Sequence, residues 1–149
     1  MSAIPNILIV ESRFYPEIAD QLLGGATAAL KTAGASFEVI EVPGAMEIPA
    51  AINFAVAGSG GYDGFVALGC VIRGETTHYD QVCKQCFEGL RSLSLEHALA
   101  IGSGVLTVEN RDQAMARAAQ DQKNKGAEAA RACLELIGLK DRFGLSADQ

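Results

Sequence analysis

Positive charge is scarce in this chain: 12 Lys and Arg stand against 18 Asp and Glu, a formal net charge of −6, with a pI near 4.8. Neutralising a phosphate backbone needs a basic face, so the balance argues against nucleic acid as a partner and against a polybasic membrane contact. Long apolar runs are also missing, and none in the sequence approaches the roughly 20 residues of a membrane span. The opening residues, MSAIPN, lack the charged, apolar and cleavage regions of a secretory leader. The expectation is a cytoplasmic protein whose four cysteines are reduced thiols. Tryptophan is absent, but 49% hydrophobic and 20% charged residues are ordinary for a globular chain. Repeats, linkers and low-complexity stretches are lacking as well. One domain over residues 1–149 is expected, long enough to bury a core.

What is present is an alternation of short apolar runs and helically spaced segments. Near-continuous apolar runs occupy residues 6–10, 37–42, 64–72 and 99–108, the pattern of strands buried on both faces of a parallel sheet. Pro16 opens a first helix with apolar positions at Ile18, Leu22, Ala26 and Leu30, and Gly34 stops it. A second begins around Met46, with Pro49 tolerable near its first turn, and ends in the GSGG loop at 58–61. A third runs over about 77–97 with a stripe through Tyr79, Val82, Cys86, Leu90 and Leu93. A fourth starts after Asn110, which stands with Gln113 like a capping box, and a fifth covers about 125–139. The order βαβαβαβαα predicts an α/β, three-layer αβα sandwich around a four-stranded, mainly parallel sheet of flavodoxin-like order.

That architecture locates the chemistry, because ligands of open α/β sheets bind beyond the carboxyl ends of the strands. Four loops end strands here: Glu11 to Phe14, Pro43 to Glu47, Ile72 to His78, and the turn at Glu109 and Asn110. The third carries the densest signal, A-L-G-C-V-I-R-G-E-T-T-H at 67–78. An apolar run ends in Arg73 and Gly74, and two threonines and a histidine then open a helix. The first N–H groups of a helix lack partners and its dipole is positive there, which favours phosphate. His78 adds a proton carrier that works near neutral pH. Together they point to an enzyme acting on a small phosphorylated substrate.

Each residue also has a plainer role. His78 alone could cap its helix, but Arg73, Gly74, Thr76 and Thr77 around it favour catalysis. Arg73 could contact phosphate or could tie two loops together as an ion pair. Glu47 could complement a helix dipole or bind hydroxyls, and Phe14 could belong to the core or form a stacking platform. Cys83 and Cys86 form a C-x-x-C inside a helix without a second ligand pair, so they read as buried thiols and no metal site is expected. Gly102-Ser103-Gly104 lacks the full dinucleotide fingerprint. His97 closes a helix as a solvated cap.

Taken together, S-R-F at 12–14, G-A-M-E-I-P at 44–49, the 67–78 block, G-V-L-T-V-E-N…Q-A…R-A at 104–118 and N-K-G at 124–126 resemble the lumazine synthase family. The match covers about residues 6–143. The resemblance implies condensation of 5-amino-6-(D-ribitylamino)uracil with 3,4-dihydroxy-2-butanone 4-phosphate, giving 6,7-dimethyl-8-ribityllumazine, phosphate and water. It implies that Phe14 stacks on the pyrimidine, that Ala45, Met46 and Glu47 hold the ribityl chain, and that Cys70, Val71 and Ile72 present backbone groups to the heterocycle. It further implies that Glu75 and Thr76 bind the phosphate, with inorganic phosphate as the released product, and that His78 donates the proton. By the same resemblance Arg117, which an adjacent subunit supplies in the family, would pair with the phosphate, and Lys125 would support that site. No redox cofactor or metal is implied, since no electron is transferred.

Three departures stand out. Ser103 occupies a substrate-side position where many members place an aromatic. Glu75 replaces a small residue, so only its N–H serves an anion. Residues 118–123 read AAQDQK where capsid-forming relatives commonly read AGTKAG, which leads us to expect a homopentamer over a 60-subunit shell. A non-catalytic flavin- or lumazine-binding relative would keep Phe14 and Glu47 but could lose His78 or Arg117, and both are present. A flavodoxin-like sensor has the fold pattern alone in its favour.

Overall fold

The computed structural model describes residues 3–58 and 60–145; Met1, Ser2, Ser59 of the GSGG loop and residues 146–149 lie outside the described residues. Four strands alternate with the helical segments: β1 (Asn6–Ser12), β2 (Ser36–Val42), β3 (Gly64–Ile72) and β4 (Ile101–Val108). All pair in parallel in the order β2-β1-β3-β4, so the sheet is wholly rather than mainly parallel. The five helices are α1 (Pro16–Thr32), α2 (Ile48–Ala57), α3 (His78–His97), α4 (Arg111–Ala118) and α5 (Lys125–Arg142). The fold is the expected single three-layer α/β domain.

Alternation along the strands divides the core in two. Ile7, Ile9, Val66, Leu68 and Leu106 face α1, α4 and α5, packing on Ile18, Leu22, Leu30, Ala130 and Cys133. Leu8, Val10, Phe65, Ala67 and Val105 face the other way, against Ile48, Ile52, Cys86, Leu90 and Leu93 of α2 and α3. The continuous runs of β1 and β3 are thus buried on both faces, as parallel strands between helical layers must be.

The strand at 37–42 departs from that expectation. It lies at the sheet edge, where Val39 and Ile40 remain 40% and 37% exposed. Glu38 and Glu41 interrupt its apolar run, and with one strand neighbour it receives less helical cover. Smaller differences have local causes. Residues 45–47 form a 3-10 turn, and α2 begins only at Ile48, so Pro49 falls in its first turn, where no donor is lost. α5 runs three residues past 139, with Lys140 and Arg142 in its last turn complementing the helix dipole. Asn110 caps α4 by accepting from the Gln113 N–H at 2.9 Å, but Gln113 returns its side chain to the N–H of Glu109, at 2.8 Å, rather than of Asn110. Cys86 is fully buried as expected, whereas Cys83 is only half-buried.

Sheet order fixes where a ligand fits. The chain moves outward from β1 to β2, then returns past β1 to place β3 and β4 on its other side. The connections leaving β1 and β3 therefore diverge to opposite faces, and a cleft opens at their carboxyl ends.

Candidate active site

A cavity of about 420 Å³ occupies that cleft. Ser12, at the end of β1, and Phe14 and Tyr15, just beyond it, form one wall. Pro43, Gly44 and the 45–47 turn form the second, and Cys70, Val71 and Ile72 supply the floor from the end of β3. Gly74, Thr76, His78, Tyr79 and Val82 close it from the β3–α3 loop and the start of α3. Nine of the anticipated residues, Phe14, Ala45, Met46, Glu47, Cys70, Val71, Ile72, Thr76 and His78, therefore share one cavity.

The geometry resolves two of the open alternatives. Phe14 is not core: its ring is 72% exposed and meets Tyr15 edge-to-face with centroids 5.0 Å apart. It offers a free aromatic face to the cleft. The loop carrying it is anchored by Arg13, which bridges the Glu11 carboxylate at 2.8 Å and the Asp20 carboxylate of α1. Burial raises the Glu11 carboxyl above its ordinary value, and the Arg13 hydrogen bond opposes that rise. Arg73 is an ion-pair residue. Its Nε donates to Glu109 at 2.8 Å and its fork lies 3.5 Å from Asp80, and its side chain does not line the cavity.

At the start of α3 one donor is taken and the cap position adds none: Thr76 Oγ1 accepts from the His78 N–H at 3.2 Å, and Thr77 makes no side-chain cap. Glu47 is half-buried, with Oε1 folded 3.2 Å from where a β-carbon on Gly44 would lie. Cys70 is unsuited to nucleophilic work, because burial pushes its thiol up to about 11. The cleft combines a mostly apolar, aromatic-walled space with one carboxylate, a threonine, a histidine and a helix start. Such a space suits a flat heterocycle with a hydroxylated tail beside an anionic partner.

Four anticipated residues lie elsewhere in the chain. Glu75 is exposed and turns out of the cavity. Ser103 is exposed on β4, at the far sheet edge. Arg117 donates to the Gln113 carbonyl of its own helix at 3.0 Å, and Lys125 pairs with Glu128 at 3.1 Å. Arg117 and Lys125 belong to the helices on the opposite face of the sheet from α3. Conversely, Tyr15, Tyr79 and Val82 line the cleft without having been singled out. Tyr79 and Val82 read as helix stripe in the sequence, and their position one turn into α3 is the signal that could have marked them. No group of three His, Cys, Asp or Glu side chains among the described residues is placed to hold a metal ion.

Comparison with known proteins fits this geometry. A family model described as 6,7-dimethyl-8-ribityllumazine synthase matches residues 5–141. A protein of that name from Bartonella tribocorum is 57% identical over 140 residues, covering 94% of this chain and 93% of the relative. One from Agrobacterium fabrum is 54% identical over 144 residues, covering 94% and 97%. A third, 6,7-dimethyl-8-ribityllumazine synthase 1 of Rhizobium meliloti, is 54% identical over 143 residues, covering 93% and 94%. With its whole sheet, both helical layers and the cleft inside the matched region, the chain belongs to the 6,7-dimethyl-8-ribityllumazine synthase family, transferases of riboflavin biosynthesis.

Proposed function

We propose that the protein condenses 5-amino-6-(D-ribitylamino)uracil with 3,4-dihydroxy-2-butanone 4-phosphate to 6,7-dimethyl-8-ribityllumazine, phosphate and water. The observation that carries this reading is the convergence of Phe14, Glu47, Thr76 and His78 from three separate loops on one cavity. Phe14 stacks on the pyrimidine, and Glu47 accepts from ribityl hydroxyls beside Ala45 and Met46. The β3 backbone at Cys70, Val71 and Ile72 addresses the heterocycle. Thr76 and the N–H groups around Glu75 hold the phosphate, and His78 carries protons between the reacting partners.

The reaction joins an amine to a ketone with loss of one water, eliminates phosphate, and closes the ring with loss of a second water, so one phosphate and two waters leave. Every step moves protons on bound, reactive partners and none transfers electrons, so the residues at hand suffice without a redox cofactor or metal. Holding two substrates in register supplies much of the acceleration, where effective molarities are large. The histidine adds about 10²–10⁴-fold as general acid–base.

Arg117 and Lys125 serve the phosphate site of an adjacent copy in a homopentamer, with Ser103 facing that boundary. The enzyme works in the cytoplasm, where its four thiols stay reduced. Mixing the two substrates and following lumazine fluorescence tests the reading. A rate well above the uncatalysed condensation is expected. No acceleration, with tight binding of the lumazine, would identify a non-catalytic relative instead.

A further inference from the structure

The loop between β3 and α3 has little packing of its own. Residues 73–78 are all exposed, and a side chain added at Gly74 would meet nothing within 4 Å. The ends of this loop are held by Arg73. Its main-chain N–H donates to the Val108 carbonyl at the end of β4, at 2.9 Å. Its Nε donates to Glu109 at 2.8 Å, its fork lies 3.5 Å from Asp80, and its guanidinium sits 4.3 Å from the centre of the Tyr79 ring. Glu109 follows β4, whereas Tyr79 and Asp80 sit in the first turn of α3, so one planar cation joins both flanks of an otherwise loose loop. Fork and face are both used, a combination that a lysine ammonium reproduces only in part.

The local charge balance decides what this cation does. Two carboxylates surround it, so it offers little net attraction to an anion. Its side chain also lies outside the cavity that Tyr79 and Thr76 line. We infer that Arg73 is a positioning residue: by tying Glu109 to Tyr79 and Asp80, it sets the shape in which residues 74–78 receive the phosphoryl group, without touching that group. This inference rests on the phosphate site proposed above.

Glu109→Gln separates positioning from charge, because the two predict opposite signs. Removing a negative charge and freeing the guanidinium would by themselves tighten phosphate binding, whereas loosening the clamp weakens it. In steady-state kinetics with both substrates varied, Arg73→Met and Glu109→Gln should each raise KM for the phosphorylated substrate about tenfold. KM for the pyrimidine and the melting temperature should hardly change. Arg73→Lys should be intermediate, and the double variant Arg73→Met/Glu109→Gln no worse than the weaker single one. An unchanged or lowered KM in Glu109→Gln overturns the inference in favour of direct contact. Equal rises in both KM values, with a fall in melting temperature, overturn it in favour of a general structural role. Should the wild-type chain not condense the two substrates at all, the functional reading fails by itself. Calorimetry with inorganic phosphate on the same variants then still reads the clamp: weaker binding in Glu109→Gln upholds it, and equal or tighter binding overturns it.

Discussion

His78 stands at the first position of α3, exposed and on the wall of the cleft. In the proposed reaction a residue there would move protons rather than hold the substrates together, since Phe14, Glu47 and the β3 backbone lie on other walls. His78→Ala should therefore lower kcat by about 10²-fold and leave both KM values nearly unchanged, as steady-state fluorescence kinetics would show. The thiols give a second residue-scale expectation. Burial pushes Cys70 up to about 11 and Cys86 and Cys133 up to about 12, from an ordinary value of 9.0. Above pH 9 the unfolded chain sheds protons that the folded chain still keeps, so raising the pH favours unfolding. Each thiol should steepen the loss by up to about 1.4 kcal/mol per pH unit between pH 9 and its folded value. Urea titrations at pH 8, 9 and 10 under reducing conditions would show it. Cys133→Ala should flatten the slope whatever it does to stability at pH 8.

At the scale of elements, α5 approaches its neighbours more closely than side chains allow. A β-carbon at Gly126 would lie 2.0 Å from the Leu22 carbonyl oxygen of α1, and one at Gly102 of β4 would lie 1.9 Å from that of Ala129. Both obstacles are backbone and cannot swing aside. Gly102→Ala and Gly126→Ala should each cost about 3 kcal/mol or more in chemical denaturation. Gly138, on the exposed side of the same helix, meets nothing, and Gly138→Ala should stabilise by about 0.5–1 kcal/mol through helix propensity. The G-x-G of β4 thus has a packing reason, the seat of α5.

At the scale of the whole molecule, large apolar side chains remain uncovered. Phe54 and Leu95 are each 71% exposed, and the outer strand β2 leaves Val39 and Ile40 open. Surfaces of this kind fit contact between copies, and the proposed pentamer would also bring Arg117 toward a neighbouring cleft. Sedimentation should give a particle five times the 15.6 kDa chain; a megadalton shell would refute that assembly. Arg117→Ala should weaken the phosphorylated substrate about tenfold while sparing the pyrimidine. Mixing it with His78→Ala chains should restore part of the activity if the two residues meet across subunits, and none if they do not.

Near neighbours along the chain explain why so much could be read in advance. Helix spacing, the apolar runs of β1 and β3, Pro16 and the Asn110 cap act over a few residues, and the order of elements then dictates a parallel sheet with its cleft at the carboxyl edge. The block ending in His78 was legible for the same reason, since its loop and helix start are contiguous. Other properties depend on partners far away in sequence. Whether the run at 37–42 is covered depends on its place at the sheet edge. Arg73 could have faced an anion or a carboxylate until folding brought Glu109, 36 residues on, to its guanidinium. Tyr79 lines the cleft where the start of α3 meets the turn at Ala45–Glu47. Short-range periodicity chose the layers and the location of the cleft, and long-range packing chose which charges are left free to act in it.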